Sequence, residues 1–129
     1  MAGFKPKLKN NQIAEEYGRR ARAVAFEAYR RILKRTPVKT GVTKANWHVS
    51  VGQPSEWLTK STTGQGFPKI DPEQVMRFKT IHIQNNVAWI GLLEYGYSKK
   101  SPAGMVRITA VELSSGVNIA VNGNYGATP

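Results

Sequence analysis

The sequence predicts an α+β fold: a long N-terminal amphipathic helix packed on a small antiparallel sheet, with a long loop and a second, C-terminal helix. Three observations predict it. Apolar residues recur at spacings of three and four from Ile13 to Ile32, the period of one helix face. Apolar and polar residues alternate in two short runs, Trp47 to Val51 and Thr80 to Asn85, the period of half-buried strands. Between those runs lies a weakly patterned stretch, 52–79, that carries Pro54, Gly64, Gly66, Pro68 and Pro72.

The chain divides into a basic N-terminal arm (1–10), one α+β domain (11–121) and a C-terminal tail (122–129). In the arm, Pro6 and the alternating Lys5, Lys7 and Lys9 oppose a packed helix. From Asn11 to Arg35 the apolar stripe is Ile13, Tyr17, Ala21, Val24, Ala25, Ala28 and Ile32, widened by Leu33. Asn10 or Asn11 can cap this helix, Glu15 and Glu16 are expected in its first turn, and Lys34 and Arg35 suit its last. Gly18 costs such a helix about 1 kcal/mol relative to Ala. The alanines allow another helix or a sheet to come close.

Thr36-Pro37-Val38-Lys39-Thr40-Gly41 stops the helix, because Pro37 disfavours helical geometry at Thr36 and Gly41 adds a turn. Asn46-Trp47 then opens a strand, with Trp47 on the buried face and His48 on the other. The 52–79 stretch is a loop excursion that packs on a neighbour through Trp57 and Phe67. The second strand turns Ile81 and Ile83 inward, and Asn85-Asn86 makes a turn. Ala88 to Tyr95 reads equally as a short helix or a buried extended run. Pro102 suits the start of a helix over 103–115, and Gly116 its end. The 117–121 run alternates, as a last strand or a continuation of the helix.

One carboxylate stands apart. Glu94 lies between Leu93 and Tyr95 in the most apolar part of the chain and is followed by Gly96. A charge among such neighbours must meet a cation or a donor. Arg107 and the Lys99-Lys100 pair are the candidates, within the chain or across a subunit contact.

Composition narrows the function. The net charge is +11. Residues 1–44 hold twelve Lys or Arg against three Glu, so the first third carries most of it. Such charge suits polyanions: nucleic acid, anionic membrane or an acidic protein surface. The arginines of the long helix, Arg19, Arg20, Arg22, Arg30 and Arg31, are candidates to line a channel or meet a partner, or simply to face solvent. No cysteine is present, which excludes disulfides, thiolate catalysis and cysteine-held zinc. No apolar run approaches the ~20 residues of a membrane helix, and no apolar segment follows the basic N-terminus, so no signal peptide is expected. His48 and His82 have no carboxylate nearby in sequence to orient them, and Asp71 and Glu73 flank a proline in a loop. No enzyme, cofactor or metal site is expected.

The order of motifs resembles a known family. A helix ends in Thr36-Pro37-Val38-Lys39-Thr40-Gly41, and Asn46-Trp47 opens a strand. Asn86-Val87-Ala88 and Leu93-Glu94-Tyr95-Gly96 follow, then Pro102 and Met105 ahead of a helix. This resembles the tail-completion or neck proteins of tailed bacteriophages, the minor tail protein Z-like family, over roughly residues 11–115. Two positions depart from the family pattern: its Tyr-Ala step is Ala88-Trp89 here, and Val42-Thr43 follows Thr-Gly.

The resemblance implies a structural virion protein, assembled in the host cytoplasm. It would form a ring, a hexamer or dodecamer of itself, at the head–tail junction. The implied partners are the portal, adaptor or head-completion protein on one side, and the tail terminator or tail tube protein on the other. Genomic DNA would cross the channel transiently, and no membrane would be involved. Trp47, Trp89, Glu94, Tyr95, Gly96 and Arg107 are then the candidate subunit or helix-docking residues. The competing expectation is a small basic nucleic-acid-binding protein.

Overall fold

The computed structural model describes residues 10–78, 80–95 and 104–114, and it has the expected α+β architecture. The elements are α1 (Asn10–Arg35), α2 (Val42–Ala45), β1 (His48–Val51), α3 (Pro72–Phe78), β2 (Ile81–Gln84), α4 (Ile90–Glu94) and α5 (Val106–Leu113). Strands β1 and β2 pair antiparallel, with His48 opposite Gln84 and Val51 opposite Ile81. The core lies between α1, this ribbon, α3 and the start of α5. Tyr29, Ile32, Trp47, Val49, Val75 and Met105 meet there. Ile81 and Ile83 pack against it from β2, as the alternation predicts.

α1 is one continuous helix with Lys34 and Arg35 in its last turn. It starts at Asn10, so Glu15 and Glu16 fall beyond the first turn and instead pair with Arg19. Only part of the predicted stripe is covered. Ala25 and Ile32 are buried, whereas Ile13 and Tyr17 are exposed. The reason lies at Gly18, where α3 meets α1: a Cβ on Gly18 would come 2.3 Å from the Pro72 carbonyl oxygen. Gly18, a weak point for an isolated helix, is what lets α1 and α3 touch backbone to backbone.

Three expectations are corrected. The 52–79 stretch is not irregular throughout, because it contains α3. Asp71 caps that helix by accepting from the Glu73 N–H at 3.0 Å, while Gln74 Oε1 accepts from the Asp71 N–H at 3.2 Å. With Pro72 in the first position, this is a capping box. The Asp71 and Glu73 pair is therefore a helix start. The second correction concerns the first strand, which begins at His48 after a helical turn, since Gly41 (φ +94°) redirects the chain into α2. The third is His48 itself, expected on the solvent face but 2% exposed. Trp57 from the long loop covers it edge-on, with ring centres 5.4 Å apart.

The ambiguous Ala88–Tyr95 run is helical over α4, and the expected C-terminal helix is present as α5. The arm at 1–9, Gly96, the Lys99-Lys100 pair, Pro102, Gly116, the 117–121 run and the tail lie outside the described residues.

Candidate functional site

Glu94 closes α4, and its carboxylate is 1% exposed. Its partner is the N-terminus of α5, where the first N–H groups have no helical acceptor. Oε1 accepts from the backbone N–H of Met105 at 3.0 Å and of Val106 at 2.9 Å. Oε2 accepts from the backbone N–H of Arg107 at 3.0 Å and from its side-chain Nε at 2.9 Å. Arg107 also donates through Nη2 to the Glu94 carbonyl oxygen and stacks its guanidinium over Tyr95, 4.4 Å from the ring centre. Gly104 makes the arrangement feasible. It has φ +84°, and a Cβ there would come 2.5 Å from both the Glu94 carbonyl and Oε2. The buried charge is thus met by the positive end of a helix and by one guanidinium.

The cation that Glu94 requires is Arg107, one of the two candidates named from sequence. Both oxygens are engaged within the chain. Within the chain Glu94 is a helix-docking anion.

A second joint holds the other end of α5. Arg35 donates to the Thr109 hydroxyl at 2.8 Å, and that hydroxyl donates to the Met105 carbonyl. Glu112 accepts from Arg35 at 2.6 Å and from Arg31 at 3.1 Å. Hydrogen bonds from Arg35 and then Arg31 lower the Glu112 carboxyl from its ordinary value. Arg30 and Arg31 together grip Glu27 at 2.7 and 2.8 Å and pull its carboxyl down to about 2.

The remaining predicted residues divide between interior and surface. Trp47 is buried, and its indole N–H donates to Thr36 Oγ1 at 2.8 Å; that hydroxyl donates to the Ile32 carbonyl at 2.7 Å. The Thr-Pro step thus ties the end of α1 to the sheet. Trp89 is exposed on one side and donates to the Thr43 hydroxyl at 2.7 Å. Tyr95 is likewise exposed. The five arginines do not share one face. Arg22 donates to the Ile70 carbonyl, and Arg30 and Arg31 serve the Glu27 and Glu112 contacts. Among the described residues only Arg20 of the five has neither a carboxylate nor a carbonyl partner.

Comparison with protein-family models, with curated proteins and with solved structures gives no match to this chain.

Sequence reasoning missed Asn46, which is fully buried. Its side-chain amide donates to the carbonyls of Val42 and Thr59 and accepts from the Thr59 N–H at 2.8 Å. It holds the long loop to α2 as a strand partner would. No sequence signal separates such an asparagine from a turn residue. The capping box at Asp71-Pro72-Glu73-Gln74, by contrast, is a pattern that could have been read. Among the described residues no group of three His, Asp or Glu side chains converges as a metal site, and no helix is long and apolar enough to cross a membrane.

Proposed function

We propose that this chain is a structural subunit of a phage neck, acting in a homo-oligomeric ring between the DNA-filled head and the tail. The observation that carries the proposal is the use of the two motifs behind the family resemblance. Thr36 of Thr-Pro-Val-Lys-Thr-Gly fixes the end of α1 onto Trp47. Glu94 of Leu-Glu-Tyr-Gly fixes α5 onto α4. Both motifs are occupied in building a scaffold, as a connector requires, and neither leaves a reactive group open.

Exposed apolar side chains support the same role. Ile13, Tyr17, Phe26, Leu58, Trp89 and Val111 all stand in solvent on a small domain, Val111 at 77% exposure. The neighbours would be a portal, adaptor or head-completion protein on one side and a tail terminator or tube protein on the other. DNA would pass through the ring without sequence-specific contact. The protein would reside in the virion after assembly in the host cytoplasm.

The test is electron microscopy of lysates from a phage that encodes this chain, with its gene disrupted. Filled heads and finished tails lying apart, and joined when purified protein is added, are the expected result. Intact infectious particles without the protein would overturn the proposal. The net charge of +11 favours nucleic-acid binding as the second reading. It predicts tight binding by the isolated protein, falling steeply as salt rises.

A further inference from the structure

The 55–59 segment, which runs into a bend at Lys60, has side chains as the ladder partners of its backbone on one side. Its residues alternate half-buried and exposed throughout. On the inner edge, Gln84 exchanges both hydrogen bonds with the Ser55 backbone, at 2.7 and 2.6 Å. Asn86 donates to the Ser55 and Trp57 carbonyls, both at 2.9 Å. Asn46 exchanges both bonds with Thr59. Ser55 Oγ takes the Trp57 N–H at 3.1 Å. In an extended chain alternate residues turn their backbone groups to opposite edges. Those of the intervening residues, Glu56, Leu58 and Lys60, have no partner among the described residues. Their side chains are exposed, Leu58 at 58%.

An unpaired strand edge is a template for pairing with another chain, and charges on it are one means by which proteins block that pairing. Here they do the reverse. In an antiparallel pairing centred on Leu58, the twofold axis sets Leu58 against Leu58 of a second copy. The same register sets Glu56 against Lys60 in both directions. Each pair is of the hydrogen-bonded type and exchanges both of its N–H···O bonds. Outward residues carry the order anion, apolar, cation, which is complementary to itself when reversed.

We propose that Glu56, Leu58 and Lys60 form a self-complementary docking edge through which two copies of this chain pair antiparallel. Such a contact is isologous and closes at two copies. It therefore differs from a head-to-tail ring contact and stands independently of the neck reading. Its small area places it among weak, concentration-dependent associations.

Sedimentation equilibrium of the full chain tests it. The expected wild-type result is a monomer–dimer equilibrium. Glu56→Lys alone and Lys60→Glu alone each set like charges opposite one another and weaken the dimer about tenfold. An equimolar mixture of the two variants restores unlike pairs, and with them a heterodimer of about wild-type strength. Leu58→Pro removes an outward N–H that no intrachain bond uses, and it also weakens the dimer. Circular dichroism checks that each variant is folded. A wild-type chain that stays monomeric at its highest soluble concentration overturns the proposal, as does a dimer insensitive to the charge reversals. A larger assembly insensitive to them would also overturn it while favouring the neck ring.

Discussion

The Glu94 carboxylate occupies the space that a side chain on Gly104 would need. A Cβ at Gly104 would come 2.5 Å from Oε2, and the backbone there is left-handed at φ +84°. Gly104→Ala therefore meets both a conformational penalty and a buried charge that cannot retreat. We expect a loss of more than about 2 kcal/mol in denaturant unfolding. A loss within about 0.5 kcal/mol, the range of an ordinary surface change, would mean that α5 docks by other contacts.

Glu94→Gln keeps the shape and removes the charge. One acceptor then becomes an amide donor that faces the N–H groups of the α5 N-terminus, while Arg107 loses its anion. The expected cost is about 3 kcal/mol, in the range for breaking a buried ion pair. Arg107→Lys should cost less, because the three backbone donors to the carboxylate remain. Equilibrium unfolding of both variants gives the order.

Thr36 and Trp47 share one hydrogen bond across the junction of α1 and the sheet. A double-mutant cycle with Thr36→Val and Trp47→Phe should return a coupling of about 1 kcal/mol. Strictly additive effects would show that the indole contributes through packing alone.

Glu27 titrates far below an ordinary carboxyl, at about 2, because Arg30 and then Arg31 bond to its charged form. Its folded value lies below its unfolded one. Its contribution to stability is therefore complete above about 4.5 and disappears as pH falls through about 2. Carbon-detected NMR titration should give a Glu27 midpoint near that value, and Arg30→Gln should move it upward. A midpoint unchanged by Arg30→Gln would show that the pairs are not formed in solution.

The sequence carried the periodic features well. The later part of the α1 stripe, both strands, buried Trp47 and the need of Glu94 for a cation, Arg107 or the Lys99-Lys100 pair, follow from spacing and from the cost of burying charge. What escaped depends on who lies next to whom. Ile13 and Tyr17 belong to the apolar stripe by period, but α3 starts against α1 at Gly18 and packs along the later turns, with Val75 beside Tyr29 and Ile32. His48 is polar-facing by alternation, but Trp57, nine positions later, covers that side. Gly104 falls inside the helix expected over 103–115, whereas it lies ahead of α5 with φ +84°, beside the Glu94 carboxylate. The arginines of α1 appear as one basic surface in a count of charge. Their division between Ile70, Glu27 and Glu112 needs the path of the chain.

The clasp of Arg31 and Arg35 on Glu112 spans 77 to 81 residues of sequence. During synthesis α1 leaves the ribosome long before its anion does. Until residues 104–112 emerge, two arginines lack Glu112 and the Glu94 carboxylate lacks the helix end that neutralises it. The last described element is thus also the one that completes the interior, so a nascent chain cut short before it would expose a mismatched charge.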